Sequence, residues 1–157
     1  MYQNLWPDEL KILVIDDEQD MLNMIRLSLE PAGFRVLRTA DPQEGLSLAL
    51  REQPDLLILD VMMPVLDGFE LLRRLRRHPK VAQIPVIILS AQANPAAHHR
   101  TSQLSETRED GVEAYLAKPF NPGQLLKTVK DVLLKHREYL LEKRTARLKP
   151  WERQQVH

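Results

Sequence analysis

Short apolar runs alternate with amphipathic stretches along most of the chain. Ile12–Ile15 is the first run, and it ends in Asp16-Asp17. From Asp20 to Glu30, Met21, Met24, Ile25, Leu27 and Leu29 supply an apolar side, which predicts a helix. Pro31-Ala32-Gly33 ends it, because Gly suits a C-terminal cap and Pro resists continuation. Phe34–Leu37 predicts a second strand, and Asp41-Pro42 a helix start with Asp as cap and Pro in the first turn. That second helix stops at Gln53-Pro54. Asp55–Asp60 (DLLILD) is apolar through its centre and predicts a strand covered on both faces.

Asp67-Gly68 predicts a turn. Phe69, Leu71, Leu72 and Leu75 belong to the helix that follows, with Arg73, Arg74, Arg76 and Arg77 on its outer side. Pro85–Leu89 is a fourth strand ending at Ser90, and Ala114–Ala117 a fifth ending at Lys118. A long helix is expected from about Pro122 to at least Leu141. Strand and helix alternating about five times specify an α/β fold: a doubly wound, five-stranded parallel sheet with an extended C-terminal helix. Right-handed crossovers place helices on both faces, and the C-terminal strand ends share one edge, where such sheets bind ligands.

Composition narrows the function classes. There is no cysteine, which removes disulfides, thiolate catalysis and Cys-based zinc sites. Net charge is zero, so overall charge argues neither for nor against nucleic acid. No apolar run approaches the roughly 20 residues of a membrane span. Met1–Leu10 carries Asp8 and Glu9 and no leader-like apolar segment. A cytoplasmic protein without membrane contact is expected. Its 157 residues suit one domain over 11–136, an extension over 1–10, and a helical extension, tail or linker over 137–157.

The strand ends carry the chemistry: Asp16 and Asp17 after the first, Asp60 on the third, Ser90 on the fourth and Lys118 on the fifth. Three carboxylates in one place raise one another's pKa, and a divalent cation relieves the repulsion. Oxygen donors without Cys or nearby His favour Mg²⁺ over zinc. Acids, cation, ammonium and hydroxyl together suit phosphoryl transfer onto a carboxylate nucleophile. His98-His99 is a poor shared metal site, because adjacent side chains point different ways.

Four segments in order, LVIDDE (Leu13–Glu18), LLILDVMMPVLDG (Leu57–Gly68), VIILSA (Val86–Ala91) and YLAKPF (Tyr115–Phe120), resemble the receiver domains of two-component response regulators over roughly Lys11–His136. The resemblance implies flavodoxin-like strand order 2-1-3-4-5. It implies that Asp60 accepts a phosphoryl group from a histidine kinase or phosphotransfer protein. Asp17 would be a metal ligand, Asp16 its water-mediated partner acid, and the Met62 backbone carbonyl a further Mg²⁺ ligand. Ser90 and Lys118 would contact the phosphoryl oxygens, Tyr115 would be the switch aromatic, and Pro119 would follow a cis bond. Such a protein is a signalling phosphoacceptor and not an enzyme acting on a separate substrate. An aspartate-nucleophile phosphatase of the haloacid dehalogenase type fits less well, since that type ends its first strand in D-x-D. A receiver-like adaptor or dimerisation module that is never phosphorylated conflicts with the complete acid set.

Two stretches depart from the pattern. Between Ser90 and Lys118 lie 27 residues, more than usual, and 93–111 lacks a clean apolar stripe, so the helix there is expected to be displaced, shortened or preceded by a long loop. The last helix is expected to continue past Lys135, and Leu126, Val129, Leu133, His136 and Leu140 form a heptad-like seam along it. A dimerising helix, a linker to an output domain and a charged tail all fit that segment. The residues left over are too few for a DNA-binding unit; a complete chain would act by protein contacts, and a piece of a longer one would leave the output open.

Overall fold

The computed structural model describes residues 10–63, 67–91, 112–147 and 150–153. In chain order these form β1 (Lys11–Ile15), α1 (Gln19–Leu29), a 3-10 turn (Glu30–Ala32), β2 (Arg35–Thr39), α2 (Pro42–Glu52), β3 (Leu56–Asp60), α3 (Gly68–Arg76), β4 (Val86–Ser90), β5 (Val112–Ala117), α4 (Pro122–Lys135), α5 (Arg137–Arg147) and one turn, α6 (Pro150–Arg153). The readings made for His98-His99 and the segment 93–111 lie outside the described residues.

All ladders are parallel, in the order β2-β1-β3-β4-β5 that the resemblance implied. Side chains alternate across each strand, and the two sets feed two cores. Ile12, Val14, Leu56, Ile58, Ile87 and Leu89 meet Leu22, Ile25 and Leu29 of α1 and Leu125, Val129 and Leu133 of α4. Leu13, Ile15, Leu57, Leu59, Val86 and Ile88 meet Ala49 of α2 and Phe69, Leu71, Leu72 and Leu75 of α3. β3 is buried at every position, which is why DLLILD carries no polar residue in its centre. β2 runs two residues beyond its expected end. It is an edge strand, and Arg38 and Thr39 continue the ladder against Val14 and Ile15 despite their polarity.

Local chemistry sets the helix ends. Gly33 closes the first helical segment at φ 99°, a left-handed conformation that favours glycine. Asp41 accepts from the Gln43 N–H, with Pro42 opening the helix behind it. Asn121 and Gln124 form a reciprocal capping box at α4. Asp67-Gly68 proves to be a helix start as well as a turn: Asp67 Oδ1 accepts from the Phe69 N–H at 2.9 Å.

The single long helix expected from Pro122 is instead two helices. His136 leaves helical geometry (φ −102°, ψ 18°) between α4 and α5. Its N–H still donates to Val132 O, and its carbonyl accepts from the Leu140 N–H, so the ladder bends without stopping. Glu113 of β5 lies beside the bend, with Oε1 2.9 Å from His136 Nε2 and Oε2 3.0 Å from Lys135 Nζ. The turned α5 buries Leu140 in the core. Its Lys143 Nζ donates to Gln53 O at 2.9 Å and Pro54 O at 2.8 Å, and lies 3.4 Å from Asp55 Oδ1. The heptad-like seam is therefore not a free dimer face, because Val129, Leu133 and Leu140 are buried within their own chain.

The arginines of α3 divide in the same way. Arg73 and Arg74 pair with Glu70, whereas Arg76 turns inward to donate to Val81 O and Ile84 O. Replacing Lys143 with Met strips donors from two carbonyls and Asp55, and is expected to lower stability in urea by about 1–3 kcal/mol. The same change at Lys127, an exposed partner of Asp131, is expected to stay within about 0.5 kcal/mol.

Candidate functional site

β1 and β3 are neighbours at the point where strand order reverses, and Ile15 pairs with Leu59. The next residues, Asp16 and Asp60, therefore leave the sheet side by side. β5 delivers Lys118 from the other direction: Ser90 pairs with Ala117, and the Lys118 N–H donates to Ser90 O at 2.7 Å. The Lys118–Pro119 peptide is cis.

Each buried acid is held by a backbone amide two residues on. Asp16 Oδ1 accepts from the Glu18 N–H and Asp60 Oδ1 from the Met62 N–H, both at 2.9 Å. The second oxygens turn toward the ammonium, with Lys118 Nζ 2.9 Å from Asp16 Oδ2 and 3.5 Å from Asp60 Oδ2. Asp16 is fully buried and Asp60 is 2% exposed. Asp17 stands at the open rim with its carboxyl within hydrogen-bonding reach of Asp60. Ser90 is fully buried at its strand end. Tyr115 is half-buried and packs against the α2–α3 core. The Met62 side chain is exposed, and its backbone N–H is the group that meets Asp60.

Crowding of like charge shapes the titration. Burial raises Asp60 above the usual carboxylate range, and Asp16 adds to the rise against the pull of Met62 N–H and Lys118. Burial raises Asp16 too, with Glu18 adding to it, while the Glu18 amide and Lys118 oppose. At the rim, partial desolvation and then the facing Asp60 carboxyl raise Asp17. Burial alone would lower Lys118, but Asp16, Asp60 and Glu18 outweigh it and hold the ammonium above its ordinary value.

The donor set fits a hard divalent cation. Oxygens of Asp16, Asp17 and Glu18 lie within 4.8 Å of one another. Asp16 Oδ2 is buried and, despite its ion pair, receives no hydrogen bond. Uncompensated carboxylate oxygen of this kind is what Mg²⁺ or Ca²⁺ takes as ligand.

Asp16, Asp17, Asp60 and Lys118 thus gather at one edge, as the strand ends required. Two features escaped the reading of the chain. Glu18 reaches Lys118 with Oε1 3.3 Å from Nζ. Its place directly after Asp16-Asp17 was the available signal. Gly68 packs against the Asp60 peptide, where a Cβ would lie 2.5 Å from Asp60 O and 2.7 Å from Val61 Cα. Only glycine lets α3 approach the acceptor strand so closely.

Residues 12–130 match the family model described as the response regulator receiver domain. The chain belongs to that family. The transcriptional regulator RpaA of Synechocystis is 36% identical over 123 residues, covering 78% of this chain and 48% of that protein. A 14.6 kDa protein of Leptolyngbya boryana is 38% identical over 80% of this chain and 92% of its own length. The chain spans about half the length of RpaA and of PhoP from Bacillus subtilis. Among solved structures, the chemotaxis response regulator CheY4 of Vibrio cholerae superposes at TM-score 0.70 with 34% identity, over 80% of this chain and 99% of that one. The receiver domain of the sensor kinase PA1611 from Pseudomonas aeruginosa, 29% identical at TM-score 0.68 over 80% and 98%, carries a magnesium ion in its active-site cleft. The chain is a receiver domain of two-component signalling, a class that acts as a signalling phosphoacceptor. No helix among its described residues is long and apolar enough to cross a membrane.

Because Asp16, Asp17 and Asp60 titrate above 3.8 when folded, the folded protein holds more protons than the unfolded chain above that pH. Their favourable contribution is complete below 3.8 and is lost as pH rises through the raised values. Metal-free Asp60→Asn is therefore expected to be more stable than wild type near neutral pH. The gap should close on acidification or when Mg²⁺ is added to the wild type. Identical urea midpoints in EDTA at neutral pH would rule out this crowding.

Proposed function

We propose that Asp60 accepts a phosphoryl group from a histidine kinase or phosphotransfer protein, and that the resulting switch controls a partner protein or an output domain. The observation that carries this reading is the Asp60 carboxylate itself. It is buried at the switch point of the sheet, tied at Oδ1 by the Met62 N–H, and faced at Oδ2 by the Lys118 ammonium.

In the ionised form, the Asp60 carboxylate attacks phosphorus as the bond from phosphorus to the donor's leaving atom breaks. The product is an acyl phosphate carrying about two negative charges. Lys118 offsets charge on the transferring group from one side. Asp16, Asp17, Asp60 and the Met62 carbonyl would hold Mg²⁺, which when bound supplies positive charge and polarisation at the phosphoryl oxygens. Ser90 donates its hydroxyl to the new oxygens, and Tyr115 follows into the space this opens. That movement biases a two-state equilibrium.

The receiver unit is read as 11–136, with 1–10 preceding it and 137–157 as its extension. The reading places it in the cytoplasm, acting through protein contacts and without direct nucleic-acid binding by this chain. RpaA is described as a DNA-binding regulator, and an output of that kind would need sequence beyond the matched receiver segment.

Acetyl phosphate and Mg²⁺ test the reading by intact-protein mass spectrometry. Wild type should gain the mass of one phosphoryl group, and Asp60→Asn should gain none. EDTA should abolish the gain. Equal incorporation in wild type and Asp60→Asn would sink it.

A further inference from the structure

Lys118 Nζ has three carboxylate neighbours: Asp16 Oδ2 at 2.9 Å, Glu18 Oε1 at 3.3 Å and Asp60 Oδ2 at 3.5 Å. Proximity and direction do not coincide among them. The contact that meets hydrogen-bond geometry is the one to Glu18. Asp16 Oδ2 is nearer, yet receives no hydrogen bond. The exposed third acid is the one that meets Nζ along a hydrogen-bond direction, beside the closer ion pair with Asp16.

Glu18 stands at the N-cap of α1, in extended geometry (φ −92°, ψ 114°), and its side chain makes no cap hydrogen bond. Ser, Thr, Asp or Asn would cap that helix better. The position instead holds a longer carboxylate turned toward Lys118. The same residue's N–H donates to Asp16 Oδ1 at 2.9 Å, and its carbonyl accepts from the Leu22 N–H at 3.1 Å. One residue thus fixes the buried acid through its backbone and the lysine through its side chain. The side chain is 61% exposed, while that of Lys118 is 12% exposed. Core packing therefore does not explain the choice of glutamate.

We propose that Glu18 is a positioning residue for Lys118, an inference that rests on the phosphoacceptor reading of Asp60. An ammonium has three donors. Left to the two buried acids alone, it would settle against them and direct its donors at the nucleophile. With one donor committed to Glu18 at the rim, Nζ stays 3.5 Å from Asp60 Oδ2. Donors then remain for an arriving phosphoryl oxygen.

The test compares Glu18→Ala with Glu18→Gln. Both lose the negative charge, but only Gln keeps a carbonyl oxygen able to accept from the ammonium. Rates of phosphorylation by acetyl phosphate are measured across donor concentrations. Mg²⁺ is held at a level shown by calorimetry to saturate each variant, and circular dichroism checks the fold. Glu18→Ala should lower the maximal rate by about two- to fivefold, the range for one exposed ion pair, with little change in the half-saturating donor concentration. Glu18→Gln should recover most of that loss.

Equal maximal rates for Ala and wild type would overturn the proposal. So would a Gln variant as slow as Ala, which would make charge and not aim the cause. A defect that vanishes once Mg²⁺ saturates would make Glu18 a metal ligand and overturn it too. No transfer to wild type would overturn the phosphoacceptor reading itself, which separates the two failures.

Discussion

The parallel pairing of β1 with β3 is the constraint from which the rest follows. Ile15 opposite Leu59 makes Asp16 and Asp60 neighbours, although 44 positions separate them in the chain. A slip of one residue would turn every β3 side chain to the opposite face and exchange the two cores. Leu56 and Ile58 face α1 and α4, while Leu57 and Leu59 face α2 and α3. The hydrophobic effect therefore fixes the register. With the register fixed, the acids must meet.

That meeting is unfavourable by itself. Burial raises all three aspartates, neighbouring acids add to the rise, and Lys118 opposes it at Asp16 and Asp60. Mg²⁺ and a phosphoryl group suit such a pocket for one reason. It is organised before they arrive, and part of its electrostatic cost is still uncompensated. Backbone amides from Glu18 and Met62 hold one oxygen of each buried acid, so the crowding does not push the carboxylates apart.

The opposite edge of the sheet is tied down as firmly. Asp55, just before β3, accepts from the Lys11 N–H at 2.9 Å and faces Lys143 of α5. Glu113, at the start of β5, meets Lys135 and His136. The two strands that carry Asp60 and the approach to Lys118 are thus anchored by ion pairs at their entry ends. The C-terminal segment closes the lower edge of the fold and is not a free tail over 137–147.

Much of this was legible in the chain, for identifiable reasons. Strands buried on both faces read as apolar runs. Caps such as Asp41-Pro42 are local, and residues ending strands of a parallel sheet must share an edge. The sites hardest to read depend on contacts between distant segments. The break at His136 lies beside Glu113 of a distant strand, Arg76 turns inward to carbonyls of the following loop, and Gly68 is needed because of the Asp60 peptide beneath it. The heptad-like spacing was real, but spacing cannot say whether a helix face meets its own core or a second chain. Sequence alone determined the alternation of strands and helices and the chemical kinds gathered at one edge, because backbone periodicity and side-chain chemistry are local properties. Tertiary structure decided which oxygen faces Lys118, which acid aims it and where the last helix bends, because those depend on distances between atoms far apart in the chain.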